Sequence, residues 1–195
     1  AGLVFERLVA LDDDYMFTVT QRVRNESDAE VTLHPYGRVS RTDEPTTLGF
    51  FILHEGPLGV FNGTLEEVDY EDMRETPSIK QETTGGWIGI TDKFWLAALV
   101  PDPKVEATTR FHYSDSGGRD RYQVDYLLPA LTIAPGASES AENRLFAGAK
   151  EVMLLDAYEE ELGIERFDLA VDFGWFYFLT KPIFYVLHGF YGWIG

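Results

Sequence analysis

The chain has 195 residues, of which 45% are hydrophobic and 14% aromatic, and this composition excludes a disordered protein, which would be poor in both. Its net charge of -17, from 16 basic and 33 acidic residues, argues against nucleic acid as a partner, because phosphates are neutralised by clustered Lys and Arg. Cysteine is absent, which excludes disulfides, thiol nucleophiles and thiolate metal sites.

The first two-thirds of the chain has the pattern of short strands. Hydrophobic residues recur mostly at period two over residues 15–23, polar turn residues occupy 25–28, and the pattern resumes at 31–33. This pattern predicts a hairpin with one buried face. Residues 48–53 then form an apolar run that is short enough for a buried strand.

Two further hairpins are predicted downstream. Residues 85–90 and 94–100 flank a short polar turn, and residues 109–113 and 122–128 flank a glycine-rich segment. Many short strands without helical segments between them favour an antiparallel sandwich over a parallel βαβ sheet. The sandwich is expected to occupy residues 1–148.

The pattern changes to helical near Lys150. Apolar residues between Val152 and Leu162 fall at helical spacing, acids occupy the opposite face, and Gly163 is a plausible C-cap. We therefore predict one amphipathic connector helix over residues 149–162, within a connector and linker region at 149–173.

Residues 174–195 form an aromatic segment with no acid and with Lys181 as its only fixed charge. Three interpretations compete: a final core element, a transmembrane helix, or a helix in the membrane interface. Tyr177, Lys181 and His188 would form a narrow polar stripe on a helix whose remaining surface is aromatic, and Trp and Tyr prefer the headgroup boundary. The segment is therefore predicted to be an interfacial helix, with these membrane-facing candidates: Trp175, Phe176, Phe178, Lys181, Phe184, Tyr185, Phe190, Tyr191 and Trp193.

No catalytic, metal or cofactor site is predicted. The four histidines are isolated, without the spacing that places two imidazoles on one metal. The acidic run at residues 66–75 is interpreted as a solvated loop. Residues 115–118 are similar to the nucleophile segment of chymotrypsin-like proteases, but the flanking residues differ, and a polar hairpin loop explains them better.

Several motifs in order resemble one family, the YidC/Oxa membrane protein insertases, and specifically the large periplasmic domain of its Gram-negative members. The motifs are residues 85–90 (GGWIGI), 94–101 (FWLAALVP), 168–176 (DLAVDFGWF) and 179–184 (LTKPIF). Weaker similarity elsewhere extends the resemblance over nearly the whole chain.

The resemblance implies a mostly β protein, an antiparallel β-supersandwich similar to galactose mutarotase, followed by the connector helix and an amphipathic helix on the periplasmic surface of the bacterial inner membrane. It implies a role in inserting and folding membrane proteins, alone or with the Sec translocon through a SecF-type contact. In this family the domain is longer, with a membrane anchor and more strands ahead of Phe5. The membrane bundle that receives nascent membrane proteins is expected downstream of Gly195.

A carbohydrate-binding module or a mutarotase-like sugar epimerase is the alternative. Trp87 and Trp95 are the best candidates for stacking on sugar rings, although both lie in runs that predict buried strands. No matched histidine and glutamate pair supports an epimerase, and similarity of fold alone does not transfer an activity.

Overall fold

The computed structural model describes residues 2–45, 53–115, 117–172 and 177–194. Strands dominate up to residue 149 and helices follow. The elements in chain order are β1 (Leu3–Leu11), β2 (Met16–Asn25), β3 (Val31–Leu33), β4 (Tyr36–Thr42), β5 (Gly56–Phe61), β6 (Thr64–Glu67), α1 (Tyr70–Glu75), β7 (Ser78–Thr84), β8 (Trp87–Thr91), β9 (Trp95–Val100), β10 (Glu106–Asp115), β11 (Asp120–Leu127), β12 (Leu131–Ile133), β13 (Ser138–Ala149), α2 (Val152–Leu162), a 3₁₀ turn (Phe167–Ala170) and α3 (Tyr177–Ile194).

The strands pair antiparallel in three sheets. The large sheet has the order β1-β2-β13-β9-β8-β5-β6, a second sheet has the order β4-β11-β10-β7, and β12 pairs with β3. The predicted fold class, an antiparallel sandwich, is confirmed by this arrangement.

The middle of the large sheet, around β5, β8 and β9, is buried on both faces, whereas its edge strand β1 is largely exposed. Towards the second sheet, Ile88 and Leu99 pack in one apolar cluster with Phe111, Tyr122 and Val124. Because side chains alternate along a strand, the neighbouring residues point to the opposite face, where a second cluster forms with α2 and the 3₁₀ turn. The helices therefore make a third layer on the sandwich.

Aromatic rings join this third layer to the sheet. Phe167 of the 3₁₀ turn is fully buried, with its ring centroid 5.4 Å from that of Trp87 and 5.6 Å from that of Phe146. Both contacts are edge-to-face, a favoured geometry for aromatic pairs. Leu155 and Tyr158 of α2 belong to the same cluster, so α2 and the 3₁₀ turn have a fixed position on the sheet.

Two predicted hairpins and the connector helix are confirmed. The β8–β9 and β10–β11 pairs are antiparallel hairpins. The helix α2 ends at Leu162, and Gly163 adopts the left-handed conformation of a C-cap.

Other local predictions are corrected. The strand at residues 31–33 pairs with β12, not with β2, which instead lies between β1 and β13. The acidic run is not a simple solvated loop, because it contains α1, whose Tyr70 and Met73 are buried. Of the predicted strand at 48–53, residues 48–52 lie outside the described residues and Leu53 is in a bend.

Candidate membrane-interface helix

The helix α3 fills most of the aromatic segment. It runs from Tyr177 to Ile194, and Pro182 lies inside it rather than at its start. In the described parts of the chain, no helix is both long enough and apolar enough to cross a bilayer.

One side of α3 presents apolar side chains to solvent. The exposed residues have the spacing i, i+4, i+7, i+8 and i+11, which places them on one face of an α-helix. We call this face the apolar stripe of α3; it consists of Leu179, Ile183, Val186, Leu187 and Phe190. Surface helices of globular proteins usually bury such a face, so the stripe needs a covering partner.

The opposite side of α3 is held to the domain by charge. The ammonium of Lys181 donates to Oδ2 of Asp168 over 2.6 Å and to Oδ1 of Asp156 over 3.1 Å. Asp156 lies on α2 and Asp168 on the 3₁₀ turn. Since Lys181 is only 18% exposed and Asp168 only 7%, this ion pair is largely withdrawn from water and orients the helix.

Glu159 extends this cluster. Its Oε2 accepts a hydrogen bond from the backbone N–H of Asp168 over 3.1 Å. Burial raises the pKa of Glu159, and repulsion from Asp168 adds to the rise, while Lys181 opposes it. The carboxylates of Asp156, Glu159 and Asp168 lie within 4.8 Å of one another, and the Lys181 ammonium balances them.

The predicted interface residues do not share one environment. Phe184 and Tyr185 are half-buried, whereas Phe190 and Tyr191 are exposed. Lys181 faces the domain. Phe178 and Trp193 lie within α3, and Trp175 and Phe176 lie outside the described residues. The exposed aliphatic residues of the stripe were not among the candidates, although their helical spacing is visible in the sequence.

The two tryptophans considered for sugar stacking differ sharply. Trp87 is 1% exposed, as its strand pattern predicts. Trp95 is 59% exposed, so the prediction that it is buried is wrong. It is the first residue of β9, directly after the hairpin turn, where the neighbouring layers do not cover it.

Comparison with solved structures places the sandwich in a known class. A galactose mutarotase related enzyme from Lactobacillus acidophilus matches 76% of this chain and 64% of its own, with a TM-score of 0.53 and 11% identity. At that identity the likeness shows the fold alone. The chain is therefore a galactose mutarotase-like sandwich with added helices.

Sequence comparison gives the family. The YidC periplasmic domain family matches residues 1–186. A membrane protein insertase YidC from Methylobacterium nodulans is 48% identical over 98% of this chain, and one from Rickettsia felis is 42% identical over all of it. The chain belongs to the YidC periplasmic domain family, and it spans about a third of these relatives, 33% and 35% of their lengths.

Proposed function

We propose that the chain is the periplasmic domain of an insertase that assists the insertion and folding of bacterial inner-membrane proteins, and that α3 anchors this domain on the bilayer. One observation carries the anchoring: α3 presents its apolar stripe to solvent while Lys181, on the other side, is bound to the domain. The insertase role is supported by the names of the relatives that match the chain.

A bilayer surface suits this stripe better than water does. A helix of 18 residues is about 27 Å long, and interfacial helices bury their apolar face about 5–10 Å into the headgroup boundary. Phe190 and Tyr191 add exposed aromatic rings, which favour that boundary. The proposed anchor lies flat on the membrane.

The periplasmic side of the inner membrane is the proposed location. The family that matches the chain is defined by its periplasmic domain. The domain carries a net charge of -17. Attraction to anionic lipid contributes little for such an acidic domain, so the apolar stripe must supply most of the binding free energy.

The anchoring is tested by co-sedimentation with phosphatidylcholine vesicles. Val186 on the stripe and Val9 on β1 form a matched pair, being 58% and 57% exposed. Val186→Glu is expected to reduce vesicle binding by tenfold or more, because a charge enters the buried face, whereas Val9→Glu is expected to bind as the parent does. Equal binding by both variants, or retained binding after removal of residues 174–195, would overturn the anchoring.

The insertase role is tested in the full-length protein. Cells depleted of their own insertase would receive full-length protein carrying Val186→Glu or Val9→Glu, and insertion of a membrane substrate would be followed by protease protection. We expect an insertion defect with Val186→Glu only. Normal insertion in a protein lacking the whole domain would show that the domain does not assist insertion.

We also propose nascent membrane proteins and Sec translocon components as partners, the latter through a SecF-type contact; the resemblance of the sequence to the insertase family motivates both. Photo-cross-linkers at exposed positions of the sandwich in the full-length protein would test this. Cross-links to SecF that depend on the domain support the contact, and cross-links confined to lipid or to the insertase itself contradict it.

Sugar binding is the second candidate, favoured by the exposed indole of Trp95 on a mutarotase-like sandwich. Exposed aromatic rings can stack on the apolar faces of sugars. Calorimetric titration with common hexoses would show heat that Trp95→Ala removes if this function holds, and no heat with any of them would dismiss it.

A further inference from the structure

The tip of the β8–β9 hairpin is a second exposed aromatic feature. It consists of Lys93, Phe94 and Trp95, and we call these three residues the hairpin tip. Phe94 is 64% exposed and Trp95 is 59% exposed, and the Lys93 ammonium lies 5.0 Å from the centre of the Phe94 ring. Two adjacent aromatic rings in water are costly, so this exposure needs a reason.

The backbone holds the hairpin tip firmly. The carbonyl of Phe94 accepts a hydrogen bond from the N–H of Lys150 over 2.9 Å, and Oε1 of Glu55 accepts one from the N–H of Lys93 over 2.9 Å. Asp92 pairs with Arg41. The rings are therefore presented by a fixed turn, and their position is a property of the fold.

A short path of backbone contacts joins the hairpin tip to α3, although the Trp95 side chain lies on the face of the large sheet that meets β4. Lys150 is two residues ahead of α2, and Asp156 of α2 binds Lys181 of α3. The helical part of this path, from Val152 to Asp156, rises about 6 Å along the axis, and Lys150 and Glu151 precede it. Asp172, which precedes α3, also acts on Lys150 electrostatically.

We propose that the hairpin tip is a second bilayer contact, which enters the headgroup boundary beside α3 and fixes the orientation of the domain on the membrane. This inference rests on the proposed anchoring by α3. The composition fits lipid: Trp and Phe partition to the boundary, and a Lys beside them keeps its ammonium in the headgroup layer. The axis of α3 and a second contact away from that axis together fix the plane of the membrane relative to the domain. With α3 alone, the acidic sandwich could rotate about the axis of the helix.

The opposite end of the same sheet offers a matched control. Phe5 on β1 is 66% exposed. It pairs with Val23 of β2, which in turn pairs with Glu139 near the start of β13. Trp95, by contrast, pairs with Ala149 at the end of β13. The eleven residues of β13 from Glu139 to Ala149 span roughly 33 Å. Phe5 therefore has the chemistry and exposure of Phe94 at a site remote from α3.

The first test is vesicle binding of the chain with Phe94→Glu and with Phe5→Glu, on phosphatidylcholine. We expect a loss of partition of at least tenfold, about 1.4 kcal/mol, for Phe94→Glu, because a charge replaces an apolar ring at the boundary, and no loss for Phe5→Glu. Phe94→Leu should recover most of the binding. Circular dichroism melting of each variant separates loss of binding from loss of fold.

The second test locates the hairpin tip directly. Because the sequence contains no cysteine, Phe94→Cys and Phe5→Cys each create a single site for an environment-sensitive fluorophore. Vesicles are expected to shift the emission of the label at position 94 to the blue, and brominated lipids to quench it, with no change at position 5.

The outcomes separate this inference from the anchoring. If Val186→Glu abolishes binding while Phe94→Glu binds normally and its label stays in water, the hairpin contact is refuted and the anchor by α3 stands. If Phe94→Glu abolishes binding while Val186→Glu does not, the anchor is refuted and the hairpin tip binds lipid by itself. A label at position 94 that responds to a sugar or to the full-length membrane bundle, and not to vesicles, also overturns the bilayer contact.

Discussion

The Nζ atom of Lys181 lies 2.6 Å from Oδ2 of Asp168, across the boundary between α3 and the rest of the domain. Lys181 is the only Lys or Arg in the aromatic segment of residues 174–195, and Asp168 is among the few buried acids. The ion pair therefore decides which face of α3 meets the domain and leaves the apolar stripe on the outside.

Lys181→Met is expected to loosen α3 from the domain. Without the ammonium, docking would leave a buried carboxylate that has lost its cation, which costs about 1–3 kcal/mol or somewhat more for a charged group. Undocking lets water reach Asp168, so the sandwich itself should keep its stability. Amide hydrogen exchange in α3 is expected to speed up by tenfold or more, with an unchanged urea midpoint for the sandwich.

Asp168→Asn provides the matched control for this prediction. In the double variant Asp168→Asn with Lys181→Met, the most buried of the three carboxylates is neutral and no longer lacks its cation, so α3 exchange should return part of the way to that of the parent. The non-additivity of the two changes measures the coupling of the pair. Purely additive effects would show that Lys181 does not hold α3 through Asp168.

Glu159 gives the domain a pH dependence. Its pKa in the folded state is raised above 4.5, first by burial, so above pH 4.5 the folded protein binds more protons at this site than the unfolded chain does. The free energy of unfolding therefore falls as the pH rises from 4.5 through the raised pKa of Glu159. At pH values above that pKa, the stability contributed by the protonated Glu159 is fully lost.

Glu159→Gln is expected to remove this dependence. Its side-chain carbonyl can still accept the hydrogen bond of the Asp168 N–H, but the buried charge is gone. Urea unfolding at several pH values should show a free energy of unfolding that varies less with pH than that of the parent. The variant should be more stable than the parent at pH values above the raised pKa of Glu159. Glu160→Gln, at the exposed neighbouring position, is the control, and a profile identical to that of Glu159→Gln would contradict the assignment.

Phe167→Ala is expected to lower the free energy of unfolding by about 3–5 kcal/mol. The ring fills the space between the 3₁₀ turn and the sheet, in edge-to-face contact with Trp87 and Phe146. Phe5→Ala, at an exposed position, should change it by less than about 0.5 kcal/mol. Urea unfolding measures both, and similar losses in the two variants would mean that the helical layer contributes little to stability.

The sequence predicts local hairpins better than distant pairing. The β8–β9 hairpin is visible because both strands and the turn are adjacent in the chain. The partner of Val31 is Ile133, about a hundred residues away, and no local signal identifies it. The short helix α1 is hidden by its acids, although the i, i+3 spacing of Tyr70 and Met73 carries a helical signal.

The candidate site is also only partly predictable. The aromatic content and the missing acids of residues 174–195 are properties of composition, so an interfacial helix can be proposed from the sequence. The partners of Lys181 lie 13 and 25 residues away, and their approach depends on how α2 and the 3₁₀ turn pack. The exposure of Trp95 likewise depends on where the neighbouring layers end, which an apolar run does not show.

Gly86 and Gly136 both favour glycine, but only Gly86 also lacks space for a side chain. Both have positive φ, +79° and +76°, a conformation that costs an L-residue about 1–2 kcal/mol. A Cβ at Gly86 would lie 2.0 Å from the carbonyl oxygen of Val60, whereas a Cβ at Gly136 would meet nothing within 4 Å. Gly136→Ala should therefore lower the free energy of unfolding by about 1–2 kcal/mol, and Gly86→Ala by clearly more, because the backbone of β5 has to move. Urea unfolding measures the loss for each variant. Equal losses would mean that β5 accommodates the new methyl group without a further cost in free energy.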